Sequence, residues 1–471
     1  MQVYRYSGPE FSPYGDGKVP EVDEGRWVAP TASGPLRASS SLPGSKSLTN
    51  RELVLSALAS SPSTLRLPLH SRDTALMIEA LKALGTTVAE FPNDSPFGPD
   101  LVVTPGELQG GATIDCGLAG TVMRFLPPVA ALALGPVTFD GDAGARKRPM
   151  RTTIDALRSL GVEVNDDGRG ALPFSLYGTG EVEGGDVEID ASASSQFVSG
   201  LLLSAPRFER GLTLTHTGER LPSLPHIEMT IDALAQRGVE VASPAVGTWI
   251  VPPTPIAGRE VVIEPDLSNA APFLVAALVA GGTVSIPHWP ADTTQVGADL
   301  IELLPLWGAS VTLDGDTLTV DGGVGLVGGG SLPGVDVDLS RGGELAPALV
   351  ALAALASGPS TITGIGHLRG HETDRLAALA AEINALGGAV TELEDGLRIE
   401  PSPLHAGQWR TYEDHRMATA AAIIGLAVEG VELDDVRVVG KTLPQFVELW
   451  DEMLGRSVRQ SPADIDLLGF L

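Results

Sequence analysis

One phrase recurs along the chain and limits how it can fold: an amphipathic helix ending in Leu-Gly or a similar pair, followed at once by a β-branched run. It reads ALMIEALKALGTTV at 75–88, TIDALRSLGVEV at 153–164 and TIDALAQRGVEV at 230–241. It returns as GADLIELLPLWGASV at 297–311 and RLAALAAEINALGGAV at 375–390. Glycine at the helix end suits a left-handed cap, and the Val-rich run that follows suits a strand. The spacing, about 70–80 residues, is longer than the roughly 20–50 of solenoid repeats. Upstream of each phrase lies a second, more uniformly apolar helix, beginning near Leu48, Gly120, Ser195, Asn269, Glu344 and Arg416. The sixth unit ends with residues 445–454 in place of the usual phrase. A helix apolar on most faces is buried, while its amphipathic partner covers a surface. The pattern predicts an α/β fold of six units, each with a strand, a buried helix, a strand, an outer helix and further strands.

Charge and cysteine usage narrow the function. Over 471 residues, Lys plus Arg is 31 and Asp plus Glu is 59, a formal net charge of −28. Such a chain repels phosphate backbones and anionic membranes. A single cysteine, Cys116, makes neither an intramolecular disulfide nor a CxxC metal or redox motif. Residues 1–25 are polar and acidic without an apolar signal core. The longest apolar stretches, at 270–280, 346–356 and 418–428, fall short of the roughly 18 residues of a membrane span and read as buried helices. We expect a cytoplasmic monomer with no nucleic-acid or membrane partner.

Against this acidic background the cations are placed selectively. Lys46, Ser47 and Arg51 flank the start of the first buried helix, and Gly120 and Arg124 open the second. Ser194, Ser195 and Gln196 open the third, Glu344 the fifth, and Asp414, His415 and Arg416 the sixth. Helix N-termini carry unpaired N–H groups and a partial positive charge, so they favour anions. Capping explains the serines and acids there. It does not explain Lys46, Arg124 and Arg416, since cations are unfavourable at helix starts. An anion site is the better reading.

Two apparent nucleotide motifs fail. Gly323-Val-Gly325-Leu-Val-Gly328 matches GxGxxG, but Gly329, Gly330 and Pro333 follow where a helix is needed, so a loop is expected. The Lys46-Ser47 pair lacks the GxxxxGK frame of a P-loop. The remaining motifs are LPGSKSLTNR at 42–51, LAGTVMR at 118–124, SSQ at 194–196, ETDR at 372–375, DHRM at 414–417 and KTLP at 441–444. In this order and spacing, the stretch from Leu42 to Leu454 resembles the 5-enolpyruvylshikimate-3-phosphate synthase (3-phosphoshikimate 1-carboxyvinyltransferase) family. No single motif is specific; six in order are.

The resemblance implies an inverse α/β barrel fold of two similar three-repeat domains that close on substrates held between them. The hinge crossings fall near Gly44 and Glu264–Pro265. They bound an N-terminal domain at 45–263 and a C-terminal domain of 26–44 plus 264–455, with an extension at 1–25 and a tail at 456–471. The implied reaction joins shikimate 3-phosphate to phosphoenolpyruvate through a tetrahedral intermediate and releases phosphate, with no metal or organic cofactor. It belongs to aromatic amino-acid biosynthesis. By position within matched motifs, Arg375, His415 and Arg416 belong to the phosphoenolpyruvate site, the two arginines on its carboxylate. Lys46, Arg148, Gln196 and Lys441 surround its phosphate, with Gly120 allowing close backbone approach. Arg51 falls to the shikimate carboxylate, and Ser194, Ser195 and Ser223 to its phosphate. Lys46, Ser47, Gln196, Glu344 and His371 also line that substrate. Glu344 is the candidate for activating the 5-hydroxyl, and Glu372 and Lys46 for proton traffic at C3 and the leaving phosphate. Asp414 is expected to orient His415 and Arg416. An unobstructed Gly120 implies inhibition by glyphosate.

Six positions depart from the family's usual pattern: Leu118 for Asn, Phe125 for Pro, His226 for Tyr, Glu344 for Asp, His367 for Asn and His371 for Lys. A histidine at 371 predicts affinity for shikimate 3-phosphate that weakens as pH rises through histidine titration. The nearest rival, UDP-N-acetylglucosamine enolpyruvyl transferase, usually carries a reactive Cys or Asp in a mobile loop. The matching residues here, GDAGARKRP at 141–149, lack that cysteine. The net charge and the complete motif set oppose the RNA 3′-phosphate cyclases, which share related repeats. The intact Lys46, Glu372, Arg375, Arg416 and Lys441 oppose a catalytically inactive binding paralogue.

Overall fold

The computed structural model describes residues 25–456. The N-terminal extension and the C-terminal tail fall almost wholly outside the described residues. The described residues form twelve α-helices: α1 (Lys46–Leu58), α2 (Arg72–Ala83), α3 (Gly120–Ala130), α4 (Arg151–Ser159), α5 (Gln196–Ser204), α6 (Leu224–Ala235), α7 (Leu267–Ala280), α8 (Leu300–Leu303), α9 (Ala346–Ala354), α10 (Arg375–Ala385), α11 (His415–Gly425) and α12 (Phe446–Met453). Five four-stranded sheets share one pattern. The leading strand runs parallel to the second, the second is antiparallel to the last, and the last pairs antiparallel with the third. A sixth sheet has three strands, Gly407–Trp409, Val431–Leu433 and, from near the N-terminus, Trp27–Val28.

The odd-numbered helices are the apolar ones, and each is buried along nearly its whole length. They pack together in two sets of three: α1 with α3 and α5, and α7 with α9 and α11. Two hydrophobic cores result, one formed by residues between Leu53 and Ile256, the other by residues of 29–42 and 267–453. The amphipathic even-numbered helices cover these cores, as their periodicity predicts. One is broken. Where the fourth phrase predicts a continuous outer helix, 3-10 turns at Val296–Asp299 and Leu304–Trp307 flank a four-residue α8. Pro305 supplies no N–H and clashes with the preceding turn. The GxGxxG match at 323–328 lies in turns, as expected. Glu344 sits in the 3-10 turn Gly343–Leu345 just before α9 rather than within it.

The leading strands of the first and fourth units are exchanged. Leu36–Ser39 runs into α1 yet pairs with Gly282–Ile286, beyond α7. Glu260–Val262 runs into α7 yet pairs with Ser63–Arg66, beyond α1. The two connecting segments meet in an antiparallel bridge between Gly44 and Pro265. Ser45 N donates to the Glu264 carbonyl at 2.7 Å, and Lys46 N donates to Asp266 Oδ2 at 3.1 Å. A Cβ at position 44 would collide with the Leu67 carbonyl, so only glycine lets the segments approach this closely.

A buried charge pair fixes α1 against the residues following α6. Arg237 donates to Glu52 Oε2 from both Nε (3.0 Å) and Nη2 (2.5 Å), and to Ser56, Ser63 and the Ala257 carbonyl. With its guanidinium fully paired, the charge is tolerated in the core.

Candidate active site

Between the two cores the inner helices bring their first turns together. Asp266 and Asp414 cap α7 and α11 with side-chain oxygens, and Ser45 caps α1. No side-chain cap bond is made at the starts of α3, α5 and α9. Of these, α3 leaves its leading N–H groups available to an anion, whereas at α5 the Gln196 N–H is taken by Ser194 Oγ and at α9 the Ala346 N–H bonds the Gly343 carbonyl.

The cations predicted from sequence converge here. Lys441 Nζ donates to Glu372 Oε1 at 2.5 Å and to the Leu118 carbonyl at 3.0 Å. Arg148 Nη1 donates to the same carbonyl at 3.0 Å and lies 3.9 Å from Glu372 Oε1. Arg375 Nη2 donates to Glu372 Oε2 at 3.0 Å, while its Nε and Nη2 hold the two oxygens of Asp414 at 2.7 and 3.1 Å. Arg124 Nη1 donates to Gln196 Oε1 at 3.1 Å. Lys46 Nζ donates to buried Asp73 at 3.3 Å. A Cβ on Gly120 would lie 2.8 Å from Arg124 Nη1 and 3.0 Å from both Arg148 Nη2 and Gln196 Oε1. The glycine therefore opens onto the centre of this cluster.

The electrostatics are those of a site short of negative charge. Burial opposes ionisation of Glu372, but Lys441, Arg148 and Arg375 outweigh it and hold the carboxyl well below its ordinary value. Burial, and then the neighbouring Arg148, push Arg124 well below the usual arginine value. Burial also lowers Lys441, and burial and then Arg375 lower Arg416. Arg124 Nε and Arg148 Nε are buried without a hydrogen-bond partner, as are both ring nitrogens of His415. Unpaired buried donors are costly, and a polyanionic ligand would satisfy them.

A second group faces the other part of the cleft. Glu344 Oε2 lies 3.0 Å from His226 Nε2. Burial disfavours the Glu344 charge, but the His226 and Arg416 charges and the His226 hydrogen bond bring its carboxyl down to about 2. Ser194 Oγ accepts from Gln196 N at 3.2 Å, and buried Ser195 precedes α5. Ser223, with φ 54°, donates its backbone N–H to the Ser340 carbonyl at 3.2 Å, so here too the two cores touch. Ser47, in the first turn of α1, lends its carbonyl to Arg51 Nη1 at 3.0 Å.

Several expectations change. Arg51 is buried and engages Thr230, Ser199 and the Ser47 and His226 carbonyls. Four of its N–H groups are thus committed, leaving one on Nη1 for a ligand; burial pulls it down to about 9. Asp414 does not hold His415, whose Nδ1 is 3.6 Å away; it clamps Arg375 and caps Arg416 N at 2.9 Å. His371 does not titrate near neutral pH, because burial, and then Arg375, hold it well below the ordinary histidine value. Two contributors escape sequence reasoning, and a third, Arg124, stands in the expected anion site without a role. Asp73 reads as an ordinary acid in a helix's first turn, and the Leu118 carbonyl belongs to no side-chain motif. Among the described residues no group of three or more His, Cys, Asp or Glu side chains could hold a metal ion, and no helix is long and apolar enough to cross a membrane.

Known proteins resemble this chain in sequence and in fold. The sequence profile described as EPSP synthase (3-phosphoshikimate 1-carboxyvinyltransferase) matches residues 30–450. A 3-phosphoshikimate 1-carboxyvinyltransferase of Kocuria rhizophila is 57% identical over 435 residues, covering 91% of this chain and 96% of the relative. A solved EPSP synthase of Acinetobacter baumannii shares the fold with a TM-score of 0.72 at 24% identity, over 91% of this chain and 98% of that one. The enolpyruvyl transferase NikO of Streptomyces tendae shares it with a TM-score of 0.72 at 19% identity, over 93% and 99%. With its cationic cleft and this extent of match, the chain belongs to the EPSP synthase family, the shikimate-pathway transferases that move a carboxyvinyl group onto 3-phosphoshikimate.

Proposed function

We propose that the two cores are the two domains of the working enzyme, 45–263 and 26–44 plus 264–455, and that the chemistry occurs where they meet. Phosphoenolpyruvate fits the cluster around Glu372, its carboxylate toward Arg375 and Arg416. Its phosphate lies among Lys46, Arg148, Gln196, Lys441 and the open start of α3 at Gly120, with His415 lining that side and Arg124 behind Gln196. Shikimate 3-phosphate fits the other part, its phosphate at Ser47, Ser194, Ser195 and Ser223, its carboxylate at the free Nη1 hydrogen of Arg51, and its ring between Glu344 and His371. The observation that carries this reading is the crowd of buried cations with unpaired donors around a single carboxylate, Glu372.

The addition step forms a bond between the 5-oxygen of shikimate and C2 of the enolpyruvate, while the hydroxyl proton leaves and C3 gains a proton. The Glu344 carboxylate, ionised before the reaction, accepts the hydroxyl proton. Glu372 is held ionised by three cations. When the anions of phosphoenolpyruvate engage those same cations, their pull on Glu372 weakens and its proton affinity rises. Substrate binding thus lets Glu372 take up a proton from solvent, which it gives to C3 in the addition and takes back in the elimination. In the elimination step the C2–O bond to phosphate breaks, C3 loses a proton and the double bond is restored. Lys46 and Lys441 neutralise the departing phosphate, which takes up one proton as Glu344 returns the hydroxyl proton to solvent.

The proposed site is complete within one chain, so we propose that a monomer suffices for the reaction. Both substrates are phosphorylated metabolites of the cell interior, which argues for the cytoplasm. The test is phosphate release from the purified protein with the two substrates supplied together and singly, and with UDP-N-acetylglucosamine replacing shikimate 3-phosphate. Release that needs both shikimate 3-phosphate and phosphoenolpyruvate is expected. Release with the nucleotide sugar instead would overturn the assignment.

A further inference from the structure

His226 and Glu344 come from opposite sides of the cleft, His226 from the first turn of α6 and Glu344 from the turn before α9. The base of the histidine is fixed: its carbonyl accepts from Arg51 Nη2 at 2.8 Å, from Thr230 Oγ1 at 3.0 Å and from Ser199 Oγ at 3.3 Å. Its ring then reaches out 3.0 Å from Glu344 Oε2. No other side chain hydrogen-bonds this carboxylate among the described residues. Both side chains remain partly open to the cleft, at 20% and 15% exposure, so substrate can reach them. An ionised carboxylate only accepts, so Nε2 carries the proton in this contact. Both positions depart from the pattern of the resembling family, and in opposite directions. The imidazole is shorter than a phenol, and Glu is one methylene longer than Asp. The two changes offset each other and keep the pair within hydrogen-bond reach.

We propose that His226 is a positioning residue for the transfer reaction, orienting the Glu344 carboxylate toward the 5-hydroxyl when the two domains are closed. A free Glu side chain samples three torsions. Tethering one oxygen to a ring fixed on the other domain restricts them and leaves the second oxygen to the substrate. The base is therefore assembled by closure and dispersed by opening, since its two members ride on different domains. The adjoining bond from Ser223 N to the Ser340 carbonyl brings the same two segments together.

The proposal rests on the reading of Glu344 as the hydroxyl's proton acceptor, and the experiment separates the two. His226→Phe keeps a flat ring without a donor, and His226→Gln restores an N–H near the Nε2 position. Phosphate-release kinetics are measured for both, for Glu344→Gln and for the double variant His226→Phe/Glu344→Gln, with melting temperature confirming that each is folded. His226→Phe is expected to lower kcat roughly 10- to 100-fold while KM for shikimate 3-phosphate stays within about threefold. His226→Gln should recover most of that loss, and the double variant should be no slower than Glu344→Gln alone. A His226→Phe kcat within about twofold of the parent, a Gln variant no better than Phe, or losses that multiply in the double variant would overturn the proposal. An undiminished kcat in Glu344→Gln would remove the Glu344 reading itself, and the proposal with it.

Discussion

Lys441 and Leu118 stand 323 residues apart in the chain, and the Lys441 ammonium donates to the Leu118 carbonyl at 3.0 Å. The same carbonyl accepts from Arg148, so one backbone oxygen gathers two cations, one from the side of each core, beside Glu372. Lys441→Met would remove both the link across the cleft and the shortest contact of Glu372. We expect kcat/KM for phosphoenolpyruvate to fall roughly 100- to 1,000-fold, read by titrating that substrate in a phosphate-release assay.

Gly120→Ala would put a methyl within 2.8–3.0 Å of Arg124, Arg148 and Gln196. If the side chains retreat, they leave the positions proposed to face the phosphate. KM for phosphoenolpyruvate should rise about 10-fold or more, with the affinity for shikimate 3-phosphate nearly unchanged. Titrating each substrate at saturation of the other separates the two effects.

Because burial and Arg375 keep His371 well below the ordinary histidine value, it is neutral across the neutral range. Calorimetric affinity for shikimate 3-phosphate should be flat between roughly pH 6.5 and 8, apart from the ligand's own phosphate titration. A loss of affinity on raising the pH, absent from His371→Gln, would show that the ring carries charge there.

Glu344 is held near 2 in the folded protein against an ordinary 4.5. A depressed carboxylate stabilises the fold above its unfolded value and loses that contribution as pH falls through its folded value. The melting temperature of the parent should therefore drop more steeply between about pH 4.5 and 2 than that of Glu344→Gln, so the two curves converge in acid. Parallel curves would mean that the His226 and Arg416 charges do not stabilise the carboxylate.

Arg237→Met leaves Glu52 buried without its cation. We expect a loss of about 3–5 kcal/mol in urea unfolding, and a smaller loss in Glu52→Gln/Arg237→Met, where neither charge remains.

The helices were legible in the sequence because each carries its own signal. The all-apolar stretch of α7 and the Leu-Gly ends of α2 and α4 need no knowledge of the rest of the chain. Pro305 was equally visible, and its cost to the fourth outer helix could have been read from the phrase itself. The exchanged leading strands were not readable from their residues: Leu36–Ser39 and Glu260–Val262 are three or four residues long and carry nothing that selects a partner. In the site, the cations stood out against a net charge of −28. What stayed hidden was their pairing, because Asp73 and the Leu118 carbonyl become meaningful only when helices distant in sequence converge. Arg51 shows the same limit: its presence was predictable, its four internal partners were not.

The crossing at Gly44 and Pro265 joins the two cores by two bridged segments lying side by side, where a single linker would have left them free to twist and slide. A pair of adjacent tethers behaves like the two pins of a door. It leaves one soft angular motion and resists the rest. If the two cores open and close as proposed, every opening retraces the same arc, and His226 returns to Glu344 and Lys441 to Leu118 in the same register. Alignment of the reacting groups is thereby built into the covalent path of the chain and need not be found afresh in each catalytic cycle.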